Sequence, residues 1–266
     1  MILLRQHFLI IFLVLGGVAG AGFSCEAAHG APPGPAPAGT VWITGSAEQP
    51  GFWMEATEVT VADFNAFVTA TGYRTEAEEF GWSGVFSRDS LGWLPVEGAD
   101  WRHPLGPDSA AAAPEEPVVQ LSYRDVTAYA DWKGRSLPTV GEWQHAASQS
   151  GAYRDFPWGE EMLPGGAYLG NWWQGNFPFA DAVADGFPGI APVRSFPPAE
   201  NGLYDIAGNV WEWTASRDPR SGQFVIKGGS FLCSTSYCTG FNLRQRQFTP
   251  ADSGLNHLGF RLIVRP

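Results

Sequence analysis

The sequence predicts an α+β fold: one large domain with little regular secondary structure. Three observations lead there. The 266 residues include 33 glycines and 21 prolines, about one residue in five, which gives much of the backbone to turns and irregular segments. Twelve tryptophans supply bulky anchors for such backbone. Three amphipathic helices are legible, while strand signals are short and scattered.

The elements read in order as follows. Arg5 precedes an apolar run from Phe8 to Val18, and Ala19-Gly20-Ala21 offers small residues for cleavage. Residues 1–21 are therefore expected to be an export signal, leaving a periplasmic or secreted protein. The run falls short of the roughly 20 residues that a membrane span needs. A membrane tether, through an uncleaved leader or a lipidated Cys25, is the alternative, and Gly22-Phe23-Ser24 is a poor lipobox. Residues 22–40, rich in Ala, Pro and Gly, read as a flexible linker, and residues 41–266 as the domain. Thr60-x-x-Asp63 opens a first helix with Val61, Phe64, Phe67 and Val68 on one stripe and Gly72 as its stop. Ser122 caps a second helix running through Val126, Tyr129 and Ala130 to Gly134. Thr139-x-x-Glu142 is a full capping box for a third, with Trp143, Ala146 and Ala147 on one face. The best strand candidates are Val118–Leu121, Phe224–Lys227 and Gly259–Val264. Tyr153 to Gly202 reads as loop, and a loop that long in a compact domain carries function or is tied down by a ligand.

The net charge of −11 comes from dispersed acidic residues. Nucleic-acid binding needs clustered Lys and Arg, and this charge distribution argues against it. The chain has three cysteines, and a cleaved protein keeps just Cys233 and Cys238, five positions apart. Such a pair serves as a disulfide, a soft-metal site or a redox centre. In an exported chain the disulfide is the ordinary use.

Asn201-Gly-Leu-Tyr-Asp-Ile-Ala-Gly-Asn-Val-Trp-Glu-Trp213 is followed by Gly228-Gly-Ser230 and by Leu258-Gly-Phe-Arg261. Glu58 to Phe64, Leu137 to Trp143 and Phe156-Pro-Trp-Gly159 precede them. This ordered series resembles the formylglycine-generating enzyme (sulfatase-modifying factor) family over roughly Thr57 to Pro266. Thr71 to Glu78 and Trp101 to Asp108 are similar to the sulfatase-activating members in particular. The resemblance implies the irregular, C-type-lectin-like fold of that family. It also implies that Cys233 and Cys238 are active thiols, holding Cu(I) as soft ligands. The implied reaction uses O2 to oxidise a cysteine, in a Cys-x-Pro-x-Arg motif of an unfolded sulfatase polypeptide, to formylglycine. Ser230 would face the oxygen or substrate-thiol site. Trp211, Tyr237, Arg246 and His257 would contact substrate, whereas Trp213 reads as core packing.

The same resemblance implies two structural calcium ions. One would use the side chains of Asn171 and Asp185 with the carbonyls of Trp172 and Phe187. The other would use Asp205 and Glu212 with the carbonyls of Gly208 and Val210. Mixed side-chain and carbonyl oxygens suit Ca2+, and such ions would tie down the long loop. Three features depart from the family pattern. His257 stands where close relatives carry Asn before Leu-Gly-Phe-Arg, the Thr239–Leu243 segment is altered, and the stretch from Gly39 to Trp53 is short. They leave two rivals open: an enzyme of the same fold with another substrate, and a non-catalytic binding module stapled by a Cys233–Cys238 disulfide.

Overall fold

Serine and threonine caps start all four α-helices among the described residues. The computed structural model describes residues 30–149, 154–252 and 254–266. The expected leader, Cys25 and residues 22–29 of the expected linker lie outside the described residues. Helix α1 (Val61–Thr71) begins where the Thr60 hydroxyl accepts the Asp63 N–H, and it stops at Gly72 in the left-handed conformation. It buries Val61, Phe64 and Phe67. Helix α2 (Glu76–Phe80) is a short addition to the sequence reading, started by a Thr75/Glu78 capping box. Helix α3 (Tyr123–Lys133) has the Ser122/Asp125 box and Gly134 as its stop. Helix α4 (Val140–Ala147) has the Thr139/Glu142 box and buries Trp143, Ala146 and Ala147. The caps satisfy backbone donors that a helix start leaves unpaired.

The strands are short. β1 (Thr40–Ile43), which takes in the last residue of the expected linker, and β2 (Phe52–Glu55) pair antiparallel, and β11 (Ile263–Val264) joins the other edge of β2. β3 (Trp82–Ser87) and β4 (Gly92–Glu97) form a separate hairpin. β5 (Gly175–Asn176) and β6 (Ala180–Asp181) form a minimal one. The sheet that carries the site has the order β10-β7-β8-β9. These strands are β7 (Trp211–Arg217), β8 (Phe224–Lys227), β9 (Gln247–Thr249) and β10 (Leu258–Gly259).

Two strand expectations need correction. Val118–Leu121 is not a strand: Gln120 takes a left-handed φ of 62°, and its amide seals a buried junction by donating to Gly84 O and Pro104 O. Gly259–Val264 is broken into β10 and β11, because the chain crosses here from the sheet of β7 to that of β2, with the buried Arg261 between them. Phe224–Lys227 forms as expected. The long stretch before Gly202 is irregular, apart from β5, β6 and a 3-10 turn at Pro164–Gly166.

Large aromatics fill the core. Trp101, Trp143, Trp172, Trp211 and Trp213 are all fully buried. Trp213 belongs to the core as expected, its indole N–H donating to Leu121 O at 3.1 Å. A larger cluster joins α1 and α3 to the site sheet through Phe64, Tyr129 and Phe260. A smaller one packs α4 against β2 and β11 through Trp143, Met54 and Ile263. Between them lies a buried ionic group: Arg261, Glu58 and Glu212 have fully buried side chains. Arg261 Nε donates to both Glu212 oxygens at 2.9 Å, and Nη2 donates to Glu212 Oε1 at 2.8 Å and Tyr204 O at 3.0 Å.

Candidate active site around the cysteine pair

The site is built where β8 ends. Gly228 and Gly229 take φ of 97° and 78°, a region open to glycine at little cost. A Cβ on Gly229 would collide with the backbone of Gly240 and Phe241, which pass directly over it. The chain then turns through Ser230, whose carbonyl accepts the Cys233 N–H at 2.9 Å. A second turn from Ser234 accepts the Cys238 N–H at 3.1 Å. These two turns bring the cysteines together, with Cα atoms 4.5 Å apart, joined as a disulfide. Cys233 is buried and Cys238 half-buried.

The sulfurs line a chamber of about 50 Å3. Trp211, Ser230, Tyr237 and His257 share its lining. Trp211 and His257 meet there because β7 and β10 run parallel, with the Trp211 N–H donating to His257 O at 2.8 Å. Ser230 is fully buried, and its hydroxyl accepts the Leu232 N–H at 3.3 Å. His257 is buried, and its ring lies 4.6 Å from Trp93. Its Nδ1 is buried without a hydrogen-bond partner among the described residues. Burial pushes this imidazole down to about 3, so the ring is neutral at physiological pH. Tyr237 is 66% exposed and stacks on Phe177 at 4.6 Å.

Arg246 does not join them. It is exposed, lies outside the chamber lining and sits 5.8 Å over the Phe248 ring. Its neighbour Gln247 enters instead, donating from Nε2 to Cys238 Sγ at 3.5 Å. Gln247 opens β9 and Arg246 directly precedes it, so a shift of one position exchanges an amide for a guanidinium. Phe86, Trp93 and Phe177 also line the chamber and were missing from the sequence reading. They come from the β3–β4 hairpin and the β5–β6 turn, which no motif connects to the cysteines.

The donor set fits a soft monovalent metal. Once reduced, the pair presents two adjacent sulfurs to a chamber that, among the described residues, no carboxylate, Lys or Arg lines. Among the same residues, no group of three or more His, Cys, Asp or Glu side chains gathers as a metal cluster. A copper ion here would therefore take two protein ligands and leave room for an outside one.

The residues expected to hold calcium lie against the cysteine loop. Trp173 N–H donates to Cys233 O at 2.9 Å, and Asn209 N–H to Asn171 O at 2.8 Å. Asn171 and Asp205 are buried, and Asn171 Oδ1 and Asp205 Oδ1 have no hydrogen-bond partner among the described residues. Such orphaned oxygens fit a hard cation. Asp185 Oδ1 accepts the Phe187 N–H at 3.0 Å, and Oδ2 accepts the Trp172 N–H at 3.2 Å. The Gln174 side-chain amide lies between Asp185 Oδ2 and the Trp172 carbonyl, in contact with both. Gly208, with φ 88°, passes so close to Asn171 O that a Cβ would strike it. Val210 is wholly buried beside it. Glu212 has a different partner from the expected cation. Arg261 and Trp143 Nε1, the latter at 2.7 Å, occupy its oxygens with four contacts, about the number a carboxylate accepts. Asp205 is then the carboxylate of this group with a free oxygen. Burial raises its pKa from 3.8 to about 6.

The fold class is that of a known set of irregular α+β proteins. The structure of PvdO from Pseudomonas aeruginosa superposes with a TM-score of 0.58 at 21% identity, covering 81% of this chain and 80% of that one. The sulfatase-modifying factor enzyme 1-like domain model matches residues 14–266, and the chain belongs to that family, the family of the formylglycine-generating enzymes. The formylglycine-generating enzyme of Mus musculus is 43% identical, over 79% of this chain and 65% of its own length. The chain thus spans about two thirds of that relative. The inactive Cα-formylglycine-generating enzyme 2 of Bos taurus is 41% identical, over 79% of this chain and 76% of its own.

Proposed function

We propose that this protein is a copper-dependent oxidase that converts a cysteine of an unfolded sulfatase, in a Cys-x-Pro-x-Arg setting, to formylglycine with O2. The observation that carries the reading is the convergence of Cys233, Cys238, Ser230, Trp211 and His257 on one small chamber. Overall identity does not carry it, because an inactive relative is nearly as similar as a mammalian relative that bears the enzyme's name.

Cys233 and Cys238, as thiolates, would hold the copper, which when bound supplies the one-electron chemistry with dioxygen that protein side chains lack. The protein's own part is positional. The aromatic lining excludes water from the reacting sulfur. Trp211 forms a rigid wall fixed by the β7–β10 pairing. The neutral His257 has a ring nitrogen with no hydrogen-bond partner among the described residues, which would be free for bound substrate. In the substrate, one Cβ hydrogen and the thiol proton are lost as the thiol becomes a thioaldehyde, and the two electrons and two protons pass to O2, giving hydrogen peroxide. Water then adds to carbon, and hydrogen sulfide leaves the aldehyde. Asn171, Trp172, Asp185, Phe187, Asp205, Gly208 and Val210 would hold calcium beside the cysteine loop. An exported enzyme suits clients that cross a membrane unfolded.

A second reading follows from the disulfide itself: a binding module in which the pair is a permanent staple. One experiment separates the two. Reduced protein is loaded with Cu(I) and given a Cys-x-Pro-x-Arg peptide and O2, with Cys233→Ser and Cys238→Ser as controls. A mass change from cysteine to aldehyde, lost in both variants, supports the oxidase. Copper binding without conversion points to another substrate, and absence of both supports the module.

A further inference from the structure

Two separate hairpins supply aromatic walls of the cysteine chamber. Phe86 and Trp93 come from β3–β4, and Phe177 comes from the β5–β6 turn. No shared sheet fixes the spacing of the hairpins. Among the described residues no backbone hydrogen bond runs between them. The Phe86 and Phe177 rings stack with centroids 5.5 Å apart, and Phe177 also stacks on Tyr237, the neighbour of Cys238. The position of Phe177 relative to Phe86 therefore sets how wide the chamber is.

Arg88 supplies the connection that strand pairing does not. It stands in the turn between β3 and β4, two positions after Phe86. Its Nε donates to Pro178 O at 2.9 Å and its Nη2 to Phe179 O at 3.1 Å. These are the two carbonyls that directly follow Phe177. The guanidinium carbon also sits 4.9 Å over the Trp173 ring, and the Trp173 N–H in turn donates to Cys233 O. One side chain thus joins both hairpins and the segment that holds the cysteine loop. A guanidinium presents adjacent donors in a rigid fork, which suits two successive carbonyls, and its face stacks on an indole. An ammonium offers a point charge and no fork.

We infer that Arg88 is a positioning residue: it clasps the two hairpins and so limits the size of the group that reaches the paired sulfurs. This rests on the reading of the cysteine pair as a site that receives a substrate thiol. Arg88 lies outside the chamber lining and acts through Phe86 and Phe177. With the clasp closed, the chamber of about 50 Å3 has room for one small side chain, and the aromatic walls keep water from the reacting sulfur. Arg88 is exposed, so its hydrogen bonds compete with water and open at small cost. The clasp can therefore part to admit substrate and close again.

The test reads the size limit directly. Purified, reduced, metal-free protein is used in a Cys238→Ser background, where Cys233 is the remaining thiol of the chamber. Its alkylation by iodoacetamide and by N-phenylmaleimide is followed by peptide mass. Both reagents are uncharged and differ in size, and the ratio of their rate constants cancels any change in thiolate fraction. Arg88→Ala should raise the maleimide-to-iodoacetamide ratio at least about tenfold. Its Tm should stay within about 3 °C of the parent, because the side chain is exposed. Arg88→Lys keeps the charge without the fork, so it should recover only part of the change. A ratio within about twofold of the parent in Arg88→Ala, or full recovery in Arg88→Lys, overturns the inference. The two readings fail separately. A size limit lost in Arg88→Ala, in a protein that converts no peptide, keeps the clasp and removes the oxidase. Peptide conversion with an unchanged ratio removes the clasp alone.

Discussion

Replacing Arg261 by Met tests whether the buried ionic group organises the site. The Arg261 side chain is wholly buried and supplies three of the four hydrogen bonds to Glu212. It also donates to Glu55 O, Ala56 O and Tyr204 O, so it ties β2 and the 204–212 segment together. Removing one partner of a buried pair leaves an uncompensated charge and costs about 3–5 kcal/mol. For a domain of this size each kcal/mol lowers Tm by about 2–4 °C. The expected loss is therefore about 6–20 °C, read by calorimetry or urea unfolding in EDTA. Glu212→Gln in the same background should recover part of the loss, giving a coupling energy above about 1 kcal/mol in a double-mutant cycle. The pH dependence has a definite sign. Burial already raises the pKa of Glu58 and Arg261 lowers it, so without the guanidinium Glu58 holds its proton in the folded state to still higher pH than in the unfolded chain. Its contribution is then favourable at low pH and lost as pH rises. The penalty of Arg261→Met should grow from about pH 5 to about pH 8. A change under about 1 kcal/mol, or strict additivity with Glu212→Gln, refutes the claim that this group holds the two segments.

Three further outcomes are expected. Gly208→Ala forces a left-handed alanine and drives its Cβ into the Asn171 carbonyl. It should cost at least about 2 kcal/mol, seen as a Tm loss of at least about 4 °C. Asp205 has its folded pKa raised to about 6, with burial as the main cause, above its ordinary 3.8. Its contribution to calcium-free protein is therefore most favourable below pH 3.8 and is lost as pH rises through 6. In EDTA, Asp205→Asn should raise Tm more at about pH 7.5 than at about pH 5, and added calcium should stabilise the wild type but not the variant. His257→Leu removes a buried nitrogen that has no hydrogen-bond partner among the described residues, so stability should stay within about 1 kcal/mol of wild type. Its rate of peptide conversion should nevertheless fall at least about tenfold, as followed by mass spectrometry.

The helices were legible because their signals are local. A capping hydroxyl and a carboxylate three residues on start all three expected helices, and a glycine stop ends the first two of them within about a dozen residues. α2 was overlooked although Thr75 and Glu78 form the same box, because so short a helix shows no periodicity. The strands depend on partners far away in the chain. Nothing near Arg261 announces that the chain there passes from one sheet to another or that its side chain is buried, since its partners Glu58 and Glu212 lie far off in sequence. The candidate site divides the same way. Cys233, Cys238, Ser230, Trp211 and His257 sit in or beside recognisable motifs and do share one chamber. Phe86, Trp93 and Phe177 reach it through tertiary packing alone, and the sequence points to Arg246 where its neighbour Gln247, the first residue of β9, meets Cys238.

The placement of the loops explains why so irregular a chain can hold two cysteines in a defined relation. The segment from Asn171 to Gln174 is hydrogen-bonded on one side to the cysteine loop, through Trp173 N–H and Cys233 O. On the other side it meets the 205–210 turn, where Asn209 N–H donates to Asn171 O and Asn209 Oδ1 accepts from the Asn171 side chain at 3.1 Å. The orphaned oxygens Asn171 Oδ1 and Asp205 Oδ1 belong to these same segments. A cation bound there would stabilise the backbone that carries Cys233, because binding to the folded state alone shifts the equilibrium by mass action. The calcium expectation and the cysteine expectation are thus mechanically linked. Chelation should loosen the cysteine loop before the helical core, whose caps and aromatic contacts do not involve the ion. Hydrogen exchange resolves the two. Earlier exchange in EDTA at residues 171–174 and 231–238 than in α1 and α3 is the expected order, and simultaneous exchange of all these segments refutes the linkage.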